Sequence, residues 1–200
     1  MAPILRSSGR KTLFADCNAV SPQTVRSIEC SLADTGASFA DVGIIGLPPK
    51  PGGSGPHLYA AGPGATRLSS LQAYGLDVRV LPGSVGAASA LKMSFAGISK
   101  GLLAVASTMI LGASRAGVAE ALQRELSESN PQLLASLASH VPDMLPKAYR
   151  WVEEMHQIAQ FLASDPAGQA IYTGAAQLFE RLAADTAGER TEAAVLTGFF

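Results

Sequence analysis

The sequence predicts an α/β unit of mainly parallel strands followed by an all-helical domain. Three observations carry this. Up to residue 82, short apolar runs alternate with amphipathic stretches, the pattern of strands separated by helices. Beyond residue 86 no strand pattern recurs, and apolar residues fall at helical spacing. Glycine and proline sit between these runs and punctuate them.

Residues 12–17 (TLFADC) are the first expected strand. Ser21-Pro22 is a helix entry, serine as cap and proline at the first helical position. Val25, Ile28 and Leu32 give the helical stripe, and Gly36 stops it. Residues 38–45 (SFADVGII), 57–61 (HLYAA) and 76–81 (LDVRVL) are further strands, with a short helix over 66–74 closed by Gly75. Between them, residues 46–56 (GLPPKPGGSGP) read as a solvated loop. Helices are expected over 86–117, 118–127, 131–139, 144–163 and 166–184. Asn130-Pro131 and Asp165-Pro166 repeat the cap-plus-proline signature. Leu102, Val105, Met109, Leu122, Leu133, Trp151, Met155, Ile158, Phe161 and Leu162 are the expected helical core. Arg150 and Glu154 are spaced to pair on a solvated face. The division is therefore 1–82, 83–187 and a weakly patterned tail, 188–200, expected to be loosely ordered.

Composition narrows the function. Hydrophobic residues are 48% and charged residues 16% of 200, enough apolar material for a sizeable core. A net charge of −1 argues against nucleic acid and against an anionic membrane surface. The segment 101–112 is apolar, but Lys100 and Arg115 bound it too closely for a span of about 20 residues. Cys17 and Cys30 form no redox or metal motif and read as reduced thiols of a cytoplasmic protein. The three histidines, His57, His140 and His156, lack ligand spacing, so no metal site is expected.

Residues 85–104 (VGAASALKMSFAGISKGLLA) are the most informative stretch. Lys92 is an isolated cation within a turn and a half of the helix start. Ser89, Lys92, Ala96, Ser99 and Leu103 share one face. A charged amine there must snorkel, pair with an anion, or occupy a pocket where it moves a proton or binds a carboxylate. The first strand ends in Asp16-Cys17-Asn18, at the carboxyl edge of a parallel sheet, where ligands bind in open α/β folds. Ordinary turn formation and capping account for the same residues. No glycine cluster follows a strand and opens a helix as G-x-G-x-x-G, so no pyrophosphate cradle is recognisable.

The order of segments resembles the β-hydroxyacid dehydrogenase superfamily, which includes 6-phosphogluconate and 3-hydroxyisobutyrate dehydrogenases. Residues 16–22 resemble its D-x-S-T-x-x-P segment, residues 41–46 (DVGIIG) its glycine-rich substrate loop, and residues 86–92 its G-x-G-x-x-x-K segment. ASALKMS-AG-SKG at 88–101 and PKAYRWVEEM at 146–155 are similar to a phosphogluconate-dehydrogenase-like, NAD-binding C-terminal branch. The resemblance covers about residues 12–165. It implies a half-Rossmann unit and a 6-phosphogluconate-dehydrogenase-like helical domain opened by a long interdomain helix.

By the same resemblance Lys92 is the catalytic acid/base, Asn18 faces the cofactor, and Gly46, Ser89 and Ser99 face a small hydroxy acid or carbonyl substrate. The cofactor implied is NAD or NADP, held weakly or not at all by this chain alone. Asn18 and Ala19 replace the usual serine and threonine, Ile45 stands near the usual loop serine, and Ala96 replaces an asparagine. The fingerprint half that precedes residue 12 in the family is expected to be missing. That would leave the strand at 12–17 an unpaired association edge, while the resemblance implies dimers through the helical domain. The other reading is a non-catalytic fragment that acts by association.

Overall fold

The computed structural model describes residues 2–8, 11–49 and 55–200. These group into two compact units, 1–95 and 96–200. The sequence placed the break at 82–83; the structure places it inside a helix.

The first unit is built on a four-stranded sheet in the order β1-β2-β3-β4. Its strands are β1 (Leu13–Asp16), β2 (Ser38–Ile45), β3 (His57–Ala61) and β4 (Asp77–Val80). β1 runs parallel to β2 and β3 parallel to β4, as expected. β2 and β3 are antiparallel, with Ile45 opposite His57. Residues 46–56 therefore connect an antiparallel pair, where mainly parallel pairing was expected.

Side-chain alternation splits the sheet into two apolar faces. On one, Ala40, Val42, Ala60 and Val78 pack with Leu13, Leu58, Leu68 and Leu71. Helix α3 (Ala65–Leu68) and the 3₁₀ turn Ser69–Tyr74 supply this cover, and Gly75 ends it at φ +84°. On the other face, Phe39 stacks on its register partner Phe14 with centroids 5.4 Å apart. Val25, Leu32 and Val85 complete that layer. Val25 and Leu32 come from α2 (Pro22–Leu32), where Ser21 Oγ accepts the Thr24 N–H at 3.1 Å. A short helix the sequence did not signal, α1 (Ala2–Ser8), adds Ala2 and Leu5 to this layer.

From Gly86 the chain is helical throughout. α4 (Ala87–Arg115) is a single helix of 29 residues that begins in the first unit. The second unit continues with α5 (Ala119–Ser129), α6 (Pro131–Met144), α7 (Ala148–Phe161), α8 (Pro166–Ala187) and α9 (Thr191–Gly198). Asn130 caps α6 and Asp165 caps α8, each followed by the expected proline. Trp151 meets the Phe179 ring edge-on at 5.3 Å, over buried Met155, Ile158 and Leu182.

Three expectations are corrected here. The helix expected over 144–163 is divided: α6 runs to Met144, a 3₁₀ turn covers Leu145–Lys147, and α7 starts at Ala148. Pro146 has no N–H to continue the ladder. The 188–200 tail is ordered as α9. Asp185, on α8, accepts the N–H groups of Glu192 and Ala193 at 3.1 and 2.8 Å. Ala193, Leu196 and Phe199 are then buried. Leu102, Val105 and Met109 are not core but exposed. α4 is apolar on every side, and its own chain covers one side only. Of the other expected core residues, Met155 and Ile158 are fully buried, while Leu122, Leu133, Trp151, Phe161 and Leu162 are half-buried.

Candidate active site

The polar groups of the first unit converge where β1 and β2 end and α4 begins. Parallel register makes Asp16 the neighbour of Asp41, with backbones about 5 Å apart and side chains on one face. Both carboxylates are buried. Asp16 accepts at Oδ1 from the Asn18 N–H at 2.9 Å and from Asn18 Nδ2 at 2.6 Å. Asp41 accepts at Oδ2 from the N–H groups of Gly86 and Ser89 at 2.9 and 3.0 Å. Its Oδ1 accepts from Ser89 Oγ at 2.7 Å. A strand carboxylate, 45 residues upstream of Gly86, thus satisfies the first N–H groups of α4 and meets the positive end of its dipole.

Two glycines allow this approach. A Cβ on Gly43 would lie 2.7 Å from the Ala88 carbonyl oxygen and 3.3 Å from Lys92 Cβ. Only a bare backbone lets β2 lie against the first turns of α4, so the Lys92 Cβ comes up against the strand. Gly86 turns the chain at φ +104°, with the Arg26 guanidinium 2.9 Å from where its Cβ would be. Arg26 Nε donates to the Val85 carbonyl at 3.1 Å, pinning the entry to α4.

Lys92 itself is half-buried. Its charge is felt at Cys17, a free thiol that remains solvent-accessible. Desolvation by the surrounding protein pushes the Cys17 pKa up, and the Asp16 carboxylate pushes it further. The Lys92 ammonium opposes them. Lysine, thiol and the Asp16 carboxylate therefore share one local field.

The expected site residues fall in different places. Lys92 and Ser89 are at this convergence, and Ser89 is fully engaged with Asp41. Asn18 is there too, with its N–H and Nδ2 committed to Asp16. Gly46 follows β2 at φ +127°, and its Cβ would sit 3.0 Å from Pro56 Cα, so it closes the base of the 46–56 connection. Residues 50–54 of that glycine-rich loop lie outside the described residues. Ser99 belongs to the second unit, is exposed, and donates to the Ala96 carbonyl at 3.4 Å. It lies about 15 Å along the helix from Ser89 and is not among the groups gathered at 16–18, 41 and 86–92.

Sequence reasoning treated Asp41 as part of a substrate loop and missed its capping role. The signal was a carboxylate and a glycine inside an otherwise apolar strand, DVG in SFADVGII. It also paired Glu154 with Arg150. The structure pairs Glu154 with Lys100, whose ammonium lies 5.0 Å from the centroid of the Trp151 ring.

Two fits can be tested on these groups. Among the described residues, no three His, Cys, Asp or Glu side chains gather as metal ligands. A dinucleotide pyrophosphate needs free N–H groups at a helix start. At α4 those of Gly86 and Ser89 already hold a carboxylate, which repels phosphate. At α2 Ser21 fills the cap and Pro22 offers no N–H. The starts of α2 and α4 do not fit a pyrophosphate.

Residues 113–182 match DUF1932, a domain of unknown function. An uncharacterized 28.5 kDa protein of Methanothermus fervidus, from the 7S RNA 5′ region, is 28% identical over 155 residues. The match covers 77% of this chain, which spans 59% of that relative's length. A conserved protein of unknown function, itself described as similar to 3-hydroxyacid dehydrogenases, superposes with a TM-score of 0.73 at 25% identity. That match covers 98% of this chain and 72% of the other. The 3-hydroxyisobutyrate dehydrogenase of Salmonella typhimurium superposes at 0.61, with 18% identity over 92% of this chain and 68% of the enzyme, a likeness of fold. The chain thus shares its fold with these dehydrogenase-like structures, and its residues 113–182 match the DUF1932 family model.

Proposed function

We propose that this chain carries the proton-transfer centre of an oxidoreductase acting on a small hydroxy acid or the matching carbonyl compound. The observation behind it is the glycine-cleared approach of β2 to α4, which sets Lys92 beside the strand ends. Lys92 Nζ would take the proton of the substrate hydroxyl as the carbon is oxidised, and return it to the carbonyl oxygen in the reverse direction. Asp41 and Ser89 hold the first turn of α4 and so aim the lysine. Asn18 would face the nicotinamide, Gly46 and the connection after it would border the substrate, and Ser99 is assigned there by family resemblance alone. The partner for the hydride is NAD or NADP by family resemblance. The starts of α2 and α4 offer that group no pyrophosphate cradle, so weak binding is expected. The free thiols suit a cytoplasmic setting.

The test is turnover of a panel of 3-hydroxy acids at millimolar NAD or NADP, with Lys92→Met compared to wild type. Turnover should fall about 10²–10⁴-fold with unchanged far-UV circular dichroism, because methionine keeps the apolar stem and loses the amine. Equal turnover would make Lys92 a snorkelling residue, and no turnover by the wild type would favour a non-catalytic protein. Calorimetry with each cofactor should give a Kd weaker than about 10 μM, or about 7 kcal/mol; tighter binding would contradict the missing cradle.

A further inference from the structure

The sheet face that carries Gly43 continues across β3 and β4. Register sets Tyr59 opposite Gly43 and Arg79 beside Tyr59. In the neighbouring row, His57 lies opposite Ile45 and Asp77 beside His57. Register partners point to the same side of a sheet. Tyr59, His57, Arg79 and Asp77 therefore share the face that meets Lys92 Cβ at Gly43. A strand spacing of about 4.8 Å puts the Tyr59 backbone about 5 Å and the Arg79 backbone about 10 Å from Gly43. All of these residues belong to the first unit.

The four side chains hold one another in place. Arg79 donates from Nε and Nη2 to the two oxygens of Asp77, at 3.1 and 2.9 Å. His57 Nδ1 bonds the same carboxylate at 2.7 Å. Arg79 Nη1 donates to the Tyr59 hydroxyl at 3.1 Å, and the guanidinium carbon lies 5.6 Å from the centre of that ring. The bonds from Arg79, and after them the one from His57, hold the Asp77 pKa below the usual carboxylate range. Asp77 is thus fully engaged, but the donors are not used up. A guanidinium has five N–H groups, and three of them go to described residues. One remains on Nη1 and one on Nη2. Tyr59 accepts from Arg79 and keeps its own O–H to donate. The His57, Asp77 and Arg79 side chains are 40, 43 and 45% exposed, so a small ligand can reach them.

Charge and shape choose the ligand. Arg79 and Asp77 cancel, so the pair has no net positive charge to neutralise a phosphate dianion. What the patch offers is N–H and O–H donors on a fixed frame, which suits a carboxylate monoanion. At the end of β2, Ile45 and Gly46 bring no donor side chain, and the donors on this face come from β3 and β4.

We propose that the Tyr59 hydroxyl and the two remaining N–H groups of Arg79 form the subsite that holds the substrate's carboxylate, with Asp77 and His57 positioning Arg79. This rests on the reading of Lys92 as the proton-transfer group, which sets the hydroxyl end of the same acid at α4.

The experiment is nuclear magnetic resonance of the full chain titrated with sodium 3-hydroxybutyrate. Sodium chloride at equal ionic strength is the baseline, and methyl 3-hydroxybutyrate is the uncharged control. The Arg79 Nε–H and Tyr59 ring resonances should shift saturably with the acid and not with the ester. Tyr59→Phe keeps the ring and should raise the Kd about 10-fold, the worth of one hydrogen bond to a charged group. Arg79→Lys keeps the charge, loses the fork, and should weaken binding by a similar factor of about 10. No saturable shift below about 100 mM acid would overturn the proposal. So would a Kd that both variants leave unchanged, which would put the acid elsewhere. So would inorganic phosphate binding the same resonances more tightly, which would make the patch a phosphate site. Lys92→Met separates this from the parent reading. If turnover survives that change while the acid still shifts Arg79, the reading of Lys92 falls and the carboxylate subsite stands.

Discussion

The first two turns of α4 and the rest of that helix solve opposite problems. Around residues 86–92 the molecule buries polar groups: Asp41, Asp16 and Ser89 are inside, each with hydrogen-bond partners. From Ile98 to Met109 the same helix leaves large apolar groups outside. Burying a carboxylate is costly unless donors meet it, so the start of α4 is specified by directional contacts made across 45 residues of sequence. Exposing apolar surface costs less per group and is non-directional. One end of the helix is thus fixed by directional contacts, while the other leaves apolar side chains exposed.

The strongest challenge to this contrast is Asp41→Ala. It strips Gly86, Ser89 N and Ser89 Oγ of their shared acceptor in a buried place. The expected loss is about 2–4 kcal/mol by chemical denaturation, with turnover falling as Lys92 loses its aim. A change below about 0.5 kcal/mol would mean water replaces the carboxylate easily, and the start of α4 would be no better specified than its surface.

A smaller effect is expected in the second unit from Lys100→Met. Lys100 pairs with Glu154 over the Trp151 ring, and Glu154 is 13% exposed. Losing the ammonium leaves that carboxylate without its cation, at a cost of about 1–2 kcal/mol. Were Lys100 merely solvated, denaturation midpoints would coincide. Equal midpoints would show that polar contacts matter only in the first unit.

The mildest probe reads the field around Lys92 without any assay of activity. Burial and Asp16 raise the Cys17 pKa, and Lys92 lowers it. Lys92→Met removes the lowering influence, so the Cys17 pKa rises further and its thiolate fraction at pH 8 falls. Alkylation of Cys17 by iodoacetamide should slow a few-fold, with Cys30 as the internal control. An unchanged rate would place the Lys92 amine away from the strand ends.

Much of this was legible because its cause is local. Ser21-Pro22, Asn130-Pro131 and Asp165-Pro166 start helices because cap and fixed φ act within one turn. The strands were legible from alternation. The antiparallel pairing of β2 with β3 was not, since direction depends on how 46–56 turns. α9 was hidden because its cap comes from Asp185 and its neighbour Arg190 adopts φ 60° instead of a capping conformation. Lys92 stood out as a lone cation in an apolar run, whereas Ser99, on the same nominal face, lies in the other unit.

By itself the sequence determined the two fold classes, the helix starts, and the singularity of Lys92, because propensity, capping and periodicity act over a few residues. Only the tertiary structure decided that Asp41 caps α4, that Gly43 clears the way for Lys92, and that Lys100 belongs to Glu154. It also decided which side of α4 its own chain covers. Those outcomes depend on partners dozens of residues away, and an apolar residue in a sequence states that it should be buried without stating by what.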